Sequence, residues 1–185
     1  MTTHGVLVQN KVAAKDIDSF NRSAVCASDV DNGWAVYLSG KSATSGESEM
    51  WTAIQPATAG SGSGLTGLWV SYSPEVVVTG GAYKGLDVDP RNFYNIATRP
   101  FDVFKPDLGD IVSMTDDCLA GSYSAGVTTH VNATNSTGGY KLYWGNSKTA
   151  SVLSMKLLAV TYVSIGTGAI NTQRIRAFQF EVVGL

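Results

Sequence analysis

The chain is short of charge. Lysine and arginine number 13 and aspartate and glutamate 15, together 15% of 185 residues, against roughly 25% in an ordinary soluble domain. A net charge of −2 gives no electrostatic footprint for nucleic acid. Cysteine is nearly absent. Cys26 and Cys118 make no disulfide framework and lack the clustered spacing of a zinc site, which leaves two reduced, largely buried thiols. Histidine is as scarce, and His4 and His130 have no third ligand at metal spacing. No run reaches the roughly 18 apolar residues of a membrane helix, and no N-terminal stretch joins a basic flank, an apolar core and a cleavage site. These absences predict a chain made and folded in a reducing, soluble compartment, where the sequons at Asn21, Asn132 and Asn135 carry no weight.

Catalytic signatures are missing as well. No G-x-S-x-G elbow occurs. Gly40-Lys41-Ser42 has the end of a phosphate-binding loop, but the required earlier glycine is Ala35. Gly166-Thr167-Gly168-Ala169-Ile170-Asn171 matches the first part of a dinucleotide fingerprint. Its last glycine is replaced by Asn171 and no helix follows to hold a pyrophosphate, so it reads as a hairpin loop. Asp87 and Asp89 have the spacing of calcium ligands, yet Arg91 and Asn92 follow and no bidentate glutamate comes at loop spacing. A polar turn fits better. Asp116-Asp117 reads as a capping pair for one helical turn, since adjacent carboxylates tend to point apart rather than flank a glycosidic bond. Trp34, Trp51, Trp69 and Trp144 suit either core packing or a sugar-stacking face, with packing the more economical use in a small β domain.

What is abundant points to β structure. Twenty glycines and many Ser, Thr and Asn punctuate short apolar runs. The chain end is organised around two of them. Ser154-Met155-Lys156-Leu157-Leu158-Ala159-Val160-Thr161-Tyr162-Val163-Ser164-Ile165 is rich in β-branched residues. After a glycine turn, Phe178, Phe180 and Val182 share one face while Gln179 and Glu181 take the other. Together they predict antiparallel strands near the middle of a sheet. Upstream, Asp31-Asn32-Gly33 predicts a type I′ hairpin turn, followed by a half-buried strand in which Trp34, Val36 and Leu38 alternate with Ala35 and Tyr37. Further strands are expected at 49–54, 68–72, 75–78, 111–115, 127–131 and 140–144, and an irregular polar-aromatic excursion at 80–104. The fold class is mainly β, a single β-barrel or β-sandwich domain over residues 23–185 with an extended N-terminal arm over residues 1–22. That arm is either a frayed terminus or a segment that adds a strand to a neighbouring subunit.

Five segments in order carry a resemblance. They are Asp29-Val30-Asp31-Asn32-Gly33, Ser73-Pro74-Glu75-Val76-Val77-Val78, Asp89-Pro90-Arg91-Asn92-Phe93, Gly109-Asp110-Ile111-Val112 and Gln173-Arg174-Ile175-Arg176-Ala177-Phe178. With them the chain resembles the head decoration, or capsid cement, proteins of tailed bacteriophages. None of the segments is catalytic, and they run through most of the chain. The resemblance implies a non-enzymatic virion structural protein that binds the outer capsid surface and stabilises the head. It implies assembly as a homo-oligomer, a trimer being favoured by three-fold capsid positions. The implied partner is the major capsid protein, with no cofactor, nucleic acid or membrane, on a virion assembled in the host cytoplasm. On this view Val6, Leu7, Val8, Lys11, Lys15, Ile17 and Phe20 dock on capsid, and Tyr83, Arg91, Phe93, Tyr94 and Arg99 meet capsid or a sister copy. Repetition over an icosahedral shell would multiply modest contacts into a strong clamp. Two other classes remain: a tail-tube or other tail structural subunit, which would polymerise without capsid, and a carbohydrate-binding virion module, which needs exposed tryptophans.

Overall fold

In the computed structural model, residues 4–14, 20–42, 49–56, 66–74, 77–79, 85–87, 89–133, 139–165 and 173–185 are described. Their strands fall into two main bodies. One is a closed barrel of β1 (Asn21–Cys26), β2 (Ala35–Lys41), β3 (Trp51–Ile54), β4 (Trp69–Ser71) and β7 (Pro100–Phe104), in spatial order β1-β3-β2-β4-β7. A small hairpin of β5 (Val77–Thr79) and β6 (Gly85–Asp87) sits between β4 and β7 in the chain. The other body is a six-stranded sheet of β8 (Ile111–Thr115), β9 (Leu119–Ala120), β10 (His130–Asn132), β11 (Leu142–Gly145), β12 (Ser154–Ile165) and β13 (Gln173–Gly184), in the order β8-β13-β12-β10-β11-β9.

The expected C-terminal pair is present. β12 and β13 are antiparallel from Ser154 opposite Gly184 to Ile165 opposite Gln173, with irregularities at Ser154/Met155 and Leu157/Ala159. Phe178, Phe180 and Val182 are buried as a set. Trp144 packs 4.9 Å from Phe178 and 5.5 Å from Phe180, and Tyr123 closes over the same rings. Burying each such side chain stabilises the fold by about 1.5–3 kcal/mol before entropy is counted. The Gly166–Asn171 motif lies outside the described residues.

The two bodies share a core. The cluster around Phe178 and Phe180 includes Ala35, Leu68, Val70 and Phe104 from the barrel side. Val36 and Val103 turn instead into the barrel interior, with Trp34 and Leu38 against them. β2 therefore buries residues on both faces, and the expectation of a half-buried strand is corrected. Its outer face lies under the second sheet rather than under water.

Other expectations also change. Asp31-Asn32-Gly33 does not connect paired strands, because β3 lies between β1 and β2 and runs parallel to β1. Gly33 has φ +85° while Asn32 is not in the positive-φ region, so no type I′ turn forms. The turn is buried instead of solvated: Asn32 is fully covered and Asp31 nearly so. The 80–104 excursion contains β7, which pairs with both β1 and β4 and closes the barrel.

The N-terminal segment departs furthest from a loose arm. Leu7 bridges Met114 and Ala13 bridges Ile111, so residues 4–14 run antiparallel along β8. Backbone bonds Val8 N–H to Ser113 O (2.8 Å), Thr115 N–H to Val6 O (3.0 Å) and Ile111 N–H to Ala13 O (2.7 Å) hold them there. The segment covers a sheet edge of its own chain.

Candidate functional site

The buried turn explains how the N-terminus is fixed. The Asp31 carboxylate accepts from the Gly5 N–H at 2.9 Å and lies 2.8 Å from His4 Nδ1, which compensates its removal from water. Asn32 donates to the Ser73 carbonyl at 2.8 Å and accepts from the Ser73 N–H at 3.0 Å. Asn95 donates to the Val30 carbonyl, and the Ser71 hydroxyl to the Asp31 carbonyl. One polar cluster thus joins the N-terminal segment, β4 and the 89–96 segment. Cys118 is wedged beneath it, its thiol donating to the Asn32 carbonyl at 3.3 Å. A Cβ on Gly5 would lie 2.7 Å from that sulfur and one on Gly33 3.0 Å away, so both positions require glycine for close approach.

Of the residues expected to dock on capsid, Val6, Leu7, Val8 and Lys11 line one groove of about 480 Å³ together with Pro90 and the Tyr162–Ile165 end of β12. Val6 and Leu7 are buried, and Leu7 belongs to the shared core, a correction that follows from the edge of β8 needing a cover. Val8 is half-buried, Lys11 is exposed in a 3₁₀ turn at Gln9–Lys11, and Phe20 is half-buried with its carbonyl accepting from the Lys105 N–H. Lys15 and Ile17 lie outside the described residues, as does Tyr83.

The second set is also brought together in part. Phe93, Tyr94 and Arg99 line one groove of about 710 Å³, with Pro74 and Ile96 at its margin. Tyr94 stacks on His4 at 4.7 Å, which ties the groove wall to the Asp31 cluster. Ile96 and Arg99 project from a turn closed by the Arg99 N–H to the Ile96 carbonyl. Ala97 N–H donates to Asp29 and Thr98 N–H to the Cys26 carbonyl at 2.7 Å, holding Thr98 at φ +64°, a strained value for a β-branched residue. Arg91 faces elsewhere. It pairs with Asp89 at 2.6 Å and reaches Gln173 on β13 at 2.9 Å. The hydrogen bonds from Arg91 pull the Asp89 carboxyl below its ordinary range, and Asp89 in turn raises the guanidinium. Asp89 also caps the Pro90–Asn92 turn through the Arg91 N–H, as a polar turn should.

Among the described residues no other arrangement of reactive groups assembles. Burial pushes the Cys118 thiol up to about 12, and Cys26 is buried 3.0 Å from the Tyr140 hydroxyl, whose own pKa burial raises. The Cys118 sulfur is therefore a neutral thiol near neutrality. Burial, with Lys156 nearby, lowers His130. Asp116 does not cap its turn, where Thr115 takes that place; it pairs with Arg176 on β13. Among the described residues no group of three His, Cys, Asp or Glu could hold a metal ion. The tryptophans are distributed through the packing: Trp69 is buried, Trp144 sits on Phe178, Trp34 stacks on Tyr140, and Trp51 lies beneath Arg22 and Lys41.

The exposed large apolar side chains were not singled out by sequence reasoning. Ile96 is 52% exposed, and Leu158, Val160 and Tyr162 on β12 are 45%, 38% and 49% exposed. One signal for the β12 set is strand length. A twelve-residue strand far exceeds the usual five or six, and neighbours of ordinary length must leave part of it uncovered. Comparison with protein-family models, curated proteins and solved structures returns no match.

Proposed function

We propose that this chain is a non-enzymatic virion structural protein that binds the outer surface of an assembled capsid and stabilises the head. The observation that carries the reading is the groove at Phe93, Tyr94, Ile96 and Arg99. It combines exposed apolar and cationic side chains on a turn braced against the barrel, as a rigid docking surface requires. The low charge and the core shared by barrel and sheet agree with a protein whose work is contact. In this reading the capsid contact lies at the groove, and the N-terminal segment contributes by bracing it through His4 and Tyr94.

The test is co-sedimentation of purified protein with empty heads of its source phage, comparing the natural chain with Ile96→Asp and Arg99→Glu. Saturable binding that both substitutions weaken supports the reading. Absence of binding by the natural chain overturns it. A tail structural subunit is the second reading, favoured by the outer edge of β12, which beyond Leu157 has no backbone partner among the described residues; it predicts rings or tubes of the pure protein.

A further inference from the structure

β12 has a neighbour along its whole length on one side and only at its start on the other. β13 pairs with it from Ser154 to Ile165, whereas β10 pairs with Ser154, Met155 and Lys156 alone. The last backbone bond on the β10 side runs from the Leu157 N–H to the Thr129 carbonyl at 2.8 Å. From Leu158 onward the outer row of N–H and C=O groups has no backbone partner among the described residues. Edges of this kind usually carry a lysine, a proline or an inward charge that prevents pairing with another chain. The stretch Leu158-Ala159-Val160-Thr161-Tyr162-Val163-Ser164 has none of these. The one irregularity, between Leu157 and Ala159, falls at its beginning and leaves the rest in regular register with β13.

We propose that this edge pairs, antiparallel, with the same edge of a second copy of the chain, about a two-fold axis at Thr161. The free run is self-complementary in that register. Leu158 falls opposite Ser164 of the second copy, Ala159 opposite Val163, and Val160 opposite Tyr162, each match occurring twice. Aromatic and β-branched residues directly opposite one another are favourable cross-strand pairs. No charge lies in the paired run, so two copies meet without like-charge repulsion. Of the cations on the adjacent β13, Arg174 lies over the Tyr162 ring at 4.4 Å and Arg176, opposite Tyr162, is paired with Asp116. Centring on Thr161 uses the whole free run and stops where the Leu157 N–H is taken by Thr129. The two six-stranded sheets then join across the axis. Such an interface is isologous and closes at two copies, which sets it apart from both a trimer and an open tail ring. It does not rest on capsid binding, and the two can fail separately.

Cysteine trapping tests it in the otherwise intact chain, whose own thiols are buried. At the axis Thr161→Cys sits opposite itself, with Cβ atoms about 4.5–5.5 Å apart, near disulfide range. Mild oxidation is expected to give a covalent dimer. Val163→Cys faces Ala159 and is expected to form no covalent dimer under the same oxidant. Sedimentation equilibrium of the natural chain should show dimer, with Val160→Lys weakening it roughly tenfold or more. A natural chain that remains monomeric to ~100 μM overturns the proposal, as does a trimer or ring. Cross-linking through Val163→Cys as readily as through Thr161→Cys also overturns it.

Discussion

Two edges in the six-stranded sheet, along β8 and along β12, are treated differently by the chain. Along β8 the edge is covered by residues 4–14, with Leu7 driven into the core and Gly5 anchored to Asp31. Along β12 the edge beyond Leu157 has no backbone partner among the described residues, and Leu158, Val160 and Tyr162 stand exposed. The physical difference is what lies behind each edge. β8 carries Val112 and Met114, both fully buried in the shared core, and an uncovered β8 would let water reach that core. In the outer half of β12, Leu158, Val160 and Tyr162 are exposed while Ile165 at its end is buried, so covering that edge adds little to the fold and leaves it free for another chain.

The sharpest way to break this contrast is to weaken the cover on β8. Leu7→Ala removes a fully buried side chain beside Met114 and is expected to destabilise the protein by about 2–5 kcal/mol, read by chemical denaturation. A loss no larger than that of a surface substitution would mean that residues 4–14 are an appendage after all. Gly5→Ala probes the anchor. Its new Cβ would sit 2.7 Å from the Cys118 sulfur and 3.0 Å from the Cys118 nitrogen, an overpacking expected to cost about 1–3 kcal/mol. Adding Cys118→Ala should recover part of that loss, because the sulfur goes while the backbone contact stays.

The contrast also marks how far the residues themselves announce the fold. Phe178, Phe180 and Val182 alternate with polar residues, and the face they predict is the one buried. The mainly β class and the barrel follow from the same kind of local signal. Position relative to neighbours is not local. Val6-Leu7-Val8 has the composition of a sticky arm, and only the packing of β8 decides that the stickiness is spent inside the chain. Asp31-Asn32-Gly33 carries a strong turn signal, yet burial under the N-terminus depends on Ser71, Ser73, Asn95 and Cys118, which come from three other segments. Phe93, Tyr94 and Arg99 are legible as a polar-aromatic cluster and do share a groove. Arg91, two residues from Phe93, lies inside the 3₁₀ turn Pro90–Asn92 and pairs with Asp89, which caps that turn.

A smaller effect follows from the wedge under the N-terminus. The Cys118 thiol has an ordinary value of 9.0 and is raised to about 12 in the fold. A raised acid is neutral in the folded chain while its unfolded counterpart ionises. Its stability contribution is therefore complete below pH 9 and is lost as pH climbs towards 12. At pH 10, above the ordinary value and below the raised one, the loss is on the order of 1 kcal/mol. Cys118→Ala should flatten that alkaline decline, measured as denaturation midpoint against pH between 8 and 10.5, whereas Cys118→Ala that leaves the slope unchanged would show that water reaches the sulfur.

The smallest effect belongs to the outer edge of β12, and smallness is the point. Leu158 is 45% exposed at the start of that edge, so Leu158→Ser in dilute solution, where each chain stands alone, should change stability by no more than about 0.5 kcal/mol. The same leucine-to-serine exchange deep in the core, at Leu142, should cost several times more. If Leu158→Ser matched the Leu142 loss, the outer half of β12 would be a structural part of the monomer, and its apolar residues would need no second chain to account for them. If it did not, a strand with Leu158, Val160 and Tyr162 facing water would have no reason in the folding of its own chain, and the reason would lie in what it meets.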